Sequence, residues 1–220
     1  MKSLLVINKT LHLPTFNLPP GASCPGKSAW CAKAGCIIDG QPARGRGYCH
    51  RGCFGCPSTV TALKARLDAV HRPDFVPRMG LELKMAALNG VPAVRLHSCG
   101  DFYSLVYLRK WVDIAKRSPI PIFAFTKSWR VSAAWRSWLH QAEKESAKRL
   151  ILWWSADPST EDPRKLGARR VALVLPKDSE EKTAYDPKEA NCLKQTQHLS
   201  CIECGRCWDR RSRRVTFMEH

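Results

Sequence analysis

Eleven cysteines in 220 residues are unusual, and ten of them fall into two clusters. The stretch "CHRGCFGC" sets Cys49, Cys53 and Cys56 in the spacing C-x3-C-x2-C, with Cys24, Cys31 and Cys36 upstream. Near the other end, "CIECGRC" sets Cys201, Cys204 and Cys207 in C-x2-C-x2-C, with Cys192 nine residues earlier. Thiols this close in sequence can share one metal, and an odd total leaves at least one cysteine outside any all-disulfide scheme. In a reducing compartment such spacing points to metal ligands rather than disulfides. The C-terminal run matches the first three ligands of the bacterial ferredoxin pattern, with Cys192 as the candidate fourth. Four thiolates also satisfy a closed zinc site, so zinc stays the alternative to iron–sulfur.

A second set of chemical groups follows the apolar runs of the middle third. After "VPAVRL" come His97, Ser98, Cys99, Asp101, Tyr103 and Ser104, and after "IPIFAF" come Thr126, Lys127, Ser128 and Arg130. "RLILWW" is followed by Ser155 and Asp157, and "RRVALVLP" by Lys177. Parallel α/β folds gather their sites at the carboxyl ends of the strands, so these groups are expected at one mouth. Asp101, Tyr103, Lys127 and Asp157 are the candidate catalytic residues; His97, Ser98, Thr126 and Ser155 are candidates for holding a cofactor. A helix-capping role for Asp101, Ser128 and Asp157 is the alternative.

The elements that must position these groups alternate. Val60, Leu63, Leu67 and Val70 lie on one helical stripe, with Ser58 or Thr59 as a plausible cap. "DFVPRMGLELKMAALNG" reads as a helix that continues past Pro77 and stops at Gly90. Leu105, Leu108, Val112 and Ala115 form another stripe, and Val131, Trp135, Trp138, Leu139 and Ala142 a third. Short apolar strands between such helices predict an α/β fold with a parallel sheet, open or curled into part of a barrel. The chain divides into an N-terminal strand and cysteine segment (1–57), a βα core (58–178), and a cysteine- and arginine-rich end (179–220).

A formal net charge of +17 attracts polyanions, of which nucleic acid is the usual one. Arg44, Arg46 and Arg51 flank the first cysteine cluster, and Arg210, Arg211, Arg213 and Arg214 follow the second. These are the candidate phosphate contacts, with Tyr48, Phe54 and Trp208 near enough in sequence to stack on bases. A solvated tail, or a counterweight to a cluster's negative charge, would equally account for the arginines. No stretch approaches the ~18 apolar residues of a membrane span, and the first apolar run is too short for a signal peptide, so a cytoplasmic protein is expected.

Two resemblances follow from these motifs. The C-x3-C-x2-C loop ahead of a βα series resembles that of radical S-adenosylmethionine (SAM) enzymes, although Gly55 stands where an aromatic residue is usual. That resemblance implies a half-barrel and a 4Fe-4S cluster with one open iron that binds SAM. Over nearly the whole chain, "CPGKSAWC", "PDFVPRM", "VRLHSCGDFYSLVYLRKW", "FAFTKSWR" and "CIECGRCW" resemble, in order, the phage and plasmid gene-product-88 family. Aligned with that family, the first cluster's ligands could instead be Cys24, Cys31 and Cys49. The expectation is an iron–sulfur protein with one or two 4Fe-4S clusters, and the radical-SAM resemblance implies an enzyme acting on a nucleic acid or nucleotide-related substrate. A non-catalytic nucleic-acid binder with structural metal, and an inhibitor of a host defence protein, are the alternatives.

Overall fold

In a computed structural model, residues 3–21, 23–32, 37–38, 41–42, 56–175 and 191–218 are described. Cys36, Cys49, Cys53, Arg44, Arg46, Arg51 and Lys177 lie outside them. The chain forms one seven-stranded sheet built from all three of its segments. Strand β1 (Val6–Asn8) pairs antiparallel with β2 (Leu13–Phe16); a two-residue pair, β3 (Ile37–Ile38) and β4 (Gln41–Pro42), stands apart. From β2 onward every neighbour in the sheet is parallel: β5 (Val94–Leu96), β6 (Ile122–Thr126), β7 (Leu150–Ala156), β8 (Val171–Leu175) and β9 (Arg214–Met218). Their order in the sheet follows their order in the sequence. Right-handed crossovers that step in the same direction put the helices between β2 and β7 on one face.

That face is covered by α1 (Pro57–His71), α2 (Phe75–Leu88), α3 (Leu105–Arg117) and α4 (Ala133–Glu145). Phe16, Val94, Leu96, Ile122, Ala124, Leu150, Leu152 and Trp154 meet Phe75, Met79, Leu83, Trp111, Leu139 and their neighbours in the main core. The alternate residues Leu13, Ala93, Phe123, Ile151, Trp153, Ala172 and Val215 form a second core on the opposite face. Strand alternation separates the two sets. Strand β7 is an interior strand of the sheet, and six of its seven residues are buried, as expected for a strand covered on both sides.

The helical stripes hold with local corrections. Helix α1 is preceded by Cys56 and carries Pro57 at its first position, so neither Ser58 nor Thr59 caps it. Proline suits that position because its missing N–H would be unpaired there in any case. Val60 turns outward and is 48% exposed. Helix α4 begins after Ser132, whose hydroxyl accepts from the Trp135 N–H, so Val131 precedes the helix instead of belonging to its stripe. The sheet is open: β1 and β9 are its two edges. Strand β9, with Val215 and Phe217 on the second core, extends the sheet beyond the four strands anticipated in the βα core.

Candidate functional site

The strand ends converge. Strand β5 runs into the turn His97–Gly100, where Gly100 takes φ +87° against Leu18 and Ser23. Beyond the turn, Asp101 is buried and its carboxylate Oδ1 accepts from the Phe102 N–H at 2.7 Å and the Thr126 hydroxyl at 2.6 Å. Oδ2 accepts from the Lys127 N–H at 2.7 Å. Asp101 therefore ties the end of β5 to the end of β6, and the cap of α3 is Ser104. Burial pushes the Asp101 carboxyl up to about 6, against the lowering effect of these hydrogen bonds.

Lys127 leaves the end of β6 and reaches Asp157 beyond β7, with Nζ to Oδ2 at 2.7 Å. The pair is nearly sealed, its side chains 15% and 1% exposed. Asp157 also accepts from the Ser28 hydroxyl at 2.5 Å and from the Ser159 N–H and hydroxyl at 3.0 and 2.8 Å. Burial alone would raise the Asp157 carboxyl, but the Lys127 ammonium and these hydrogen bonds hold it below the usual carboxylate range. Burial would lower the Lys127 ammonium, yet Asp157 and the Cys31 thiol beside it keep it above the ordinary lysine value.

Ser28 belongs to the segment that carries Cys24 and Cys31, so the first cysteine segment is seated on this mouth. Its anchors are several. Arg130 donates to the carbonyls of Gly26 and Lys27 at 2.9 and 2.6 Å, and the Trp30 N–H donates to Ser159 Oγ at 3.2 Å. Gly26 lies directly on the Lys127 peptide: a Cβ there would fall 1.8 Å from the Lys127 carbonyl oxygen. Cys31 Sγ lies 3.4 Å from Ser28 N and Oγ, while Cys24 is partly buried and Cys56 is exposed at the start of α1.

Other expected site residues go elsewhere. His97, at φ +59°, turns into the main core, where Nε2 is 2.9 Å from the Tyr107 hydroxyl and the ring meets Phe102 edge-on. Burial, reinforced by Arg95, lowers it to about 3, so it is neutral. Tyr103 stacks on Tyr107 at 4.9 Å and faces His71 of α1. The Ser98 N–H donates to Asn17 Oδ1 at 2.8 Å, locking the turn to the end of β2. Ser155 shares the face of Trp153 by strand alternation, and its carbonyl accepts from Trp129 Nε1 at 3.0 Å. Arg210, Arg211 and Arg213 are exposed, whereas Arg214 opens strand β9 and is half-buried.

The C-terminal cysteines gather on the second face of the sheet. Short helices α5 (Leu193–Thr196) and α6 (Cys201–Cys204) carry them, α6 fixed by a Ser200/Glu203 capping box and ended by Gly205 at φ +63°. Cys192, Cys201 and Cys207, with Trp208, pack on the second core, and the Cys207 carbonyl accepts from Trp153 Nε1 at 2.8 Å. Burial pushes the Cys207 thiol up to about 12, with smaller contributions from Cys192, Cys201 and Cys204, so all four thiols are electrostatic neighbours. They are not drawn into a coordination shell: among the described residues no group of three or more His, Cys, Asp or Glu side chains is close enough to hold an ion. Four soft thiols on one face are donors of the kind a thiophilic metal takes.

Ser28, Ser159 and the carbonyl clamp of Arg130 were not singled out by spacing. The only prior sign of the clamp was the Gly26 of "CPG", a residue that permits close backbone approach. Among the described residues, no helix is long and apolar enough to cross a membrane. Comparison with known proteins gives one family match: the model of the family described as "Gene product 88" covers residues 2–210. No curated protein and no solved structure matches.

Proposed function

We propose that this chain, which belongs to the gene product 88 family, is an iron–sulfur enzyme of radical-SAM-like design acting on a nucleic acid or nucleotide-related substrate. The observation that carries the reading is the seat of the Cys24–Cys31 segment on the carboxyl ends of β5, β6 and β7, against Lys127 and Asp157. This segment follows the first parallel strand of a sequentially ordered sheet, the position from which a cysteine loop faces the substrate mouth. Cys24 and Cys31 would supply ligands there, completed from Cys36, Cys49, Cys53 and Cys56. When bound, a 4Fe-4S centre with an open iron would supply the electron for reductive cleavage of SAM.

The chain's own residues would do the rest. Asp101 and Thr126 hold the β5 and β6 ends in register, and Asp157 aims the Lys127 ammonium at the mouth beside Cys31. The test is anaerobic purification: the protein should be brown, absorb broadly near ~400 nm and contain iron. Incubation with SAM and dithionite should then release 5′-deoxyadenosine. Colourless protein with stoichiometric zinc defeats the iron reading, and iron-replete protein that leaves SAM intact defeats the radical one.

A second reading, a nucleic-acid binder with structural metal, draws on the exposed Arg210, Arg211 and Arg213 beside the C-terminal cysteines. It expects binding to DNA or RNA that weakens steeply with salt. Charge reversal at those three arginines should reduce both the affinity and the salt slope; unchanged binding would remove them from the interface.

A further inference from the structure

Strand β5 places one charge where its pattern calls for an apolar residue. Ala93 and Arg95 alternate onto the second face of the sheet, the face that carries the C-terminal cysteines, while Val94 and Leu96 enter the main core. The Arg95 guanidinium lies over the Phe125 ring at 5.0 Å, and its Nε is buried with no hydrogen-bond partner among the described residues. No Asp or Glu among them forms an ion pair with it. The side chain as a whole is half-buried, but a donor enclosed without a partner is costly. Phe125, which it covers, packs in the same cluster as Cys192, Cys201 and Cys207.

We propose that Arg95 is the internal countercharge of a metal centre formed by Cys192, Cys201, Cys204 and Cys207, a positioning residue and not a ligand. The proposal rests on the reading that these four cysteines hold a metal. A divalent ion held by four thiolates is a net dianion, as is a 4Fe-4S cluster in its usual oxidised state with four cysteines. On the inner side the sheet offers the apolar residues Phe123, Phe125, Trp153, Ala172, Val215 and Phe217. Arg95 supplies the cation from beneath, while Lys194, the charge that most lowers the Cys201 thiol, supplies one from the segment itself. The guanidinium carbon lies over the Phe125 ring, and the Nε–H has no partner among the described residues. Interactions behind the ligands commonly change metal affinity 10–100-fold.

The test uses full-length protein, purified metal-free under anaerobic conditions and titrated with cobalt(II). Thiolate-to-cobalt absorption reads tetrahedral thiolate binding, and the part lost in Cys204→Ser belongs to the C-terminal centre. Zinc competition then gives the affinity. Arg95→Met, which keeps the apolar stem, should weaken that affinity about tenfold or more, and Arg95→Lys should restore most of it. The melting temperature of metal-free Arg95→Met should be no lower than that of the parent, since the substitution removes an enclosed N–H that has no partner among the described residues. Equal affinities in Arg95→Met and the parent would overturn the proposal, as would an Arg95→Lys variant as weak as Arg95→Met. A parent protein with no signal sensitive to Cys204→Ser would instead overturn the four-thiolate reading beneath it.

Discussion

At the scale of single residues, the Lys127–Asp157 pair separates charge from packing. Removing one partner strands the other in a nearly sealed site, so Lys127→Met should lower stability by about 3–5 kcal/mol in urea denaturation. The double variant Lys127→Met/Asp157→Asn should recover much of that loss, because neither charge is then left unpaired. Asp101 makes a different prediction. Its folded carboxyl titrates near 6, above the ordinary value of 3.8, so between those values the folded chain keeps a proton that the unfolded chain has released. Stability from this group should therefore fall as pH rises from about 4 to about 6 and stay level above, by up to about 3 kcal/mol. Denaturation curves across that range check the slope, which should flatten in Asp101→Asn, although that variant starts lower through its mismatched contact with the Lys127 N–H.

At the scale of elements, the cysteine segment 23–32 is held by polar contacts and one close approach. Gly26→Ala puts a methyl carbon into the Lys127 peptide, so the segment must lift. Circular dichroism should still report the sheet and helices, while metal attributable to Cys24 and Cys31 is lost; full retention of that metal would show the seat to be unnecessary. Helices α3 and α4 were legible because their apolar stripes are local, although their caps, Ser104 and Ser132, are not the residues the sequence suggested. Ser104→Ala and Ser132→Ala should each cost about 1 kcal/mol, read from thermal melts. The start of α1 was less legible: three consecutive residues there can begin a helix, and Pro57 decided among them by its fixed φ and missing N–H. Strand β9 escaped notice because five residues beginning with arginine carry little strand signal until β8 pairs with them.

At the scale of the molecule, the two cysteine segments serve different surfaces of one sheet. The first sits at the strand ends; the second roofs the face that the helices leave open and is tied to edge strand β9. Cys192 N–H and Asn191 N–H donate to the Thr216 carbonyl, and Gln195 exchanges hydrogen bonds with the Met218 backbone at 2.9 and 2.8 Å. If the C-terminal cysteines hold a metal as proposed, its removal should loosen the roof before the sheet. Chelation should lower the melting temperature, speed hydrogen exchange in β9 and increase dye binding to the uncovered Phe123–Trp153 surface, with α1–α4 little affected. Uniform exchange across the sheet after chelation would contradict this division.

The sequence by itself determined the alternating α/β class, the helices with strong stripes, and which residues follow each strand, because those properties depend on neighbours a few positions apart. Tertiary structure alone decided what those residues meet. Asp101 joins Thr126 and Lys127 across 25 and 26 positions, and Asp157 joins Ser28 across 129. His97 and Tyr103, equally well placed in the sequence, turn instead into the aromatic core with Tyr107. The reason is physical: a strand end fixes where the backbone arrives, but the direction of each side chain is set by the pairing of strands and by the packing beneath it. The C-x2-C-x2-C spacing announced a thiol cluster, and only the fold put a lone arginine of β5 under it.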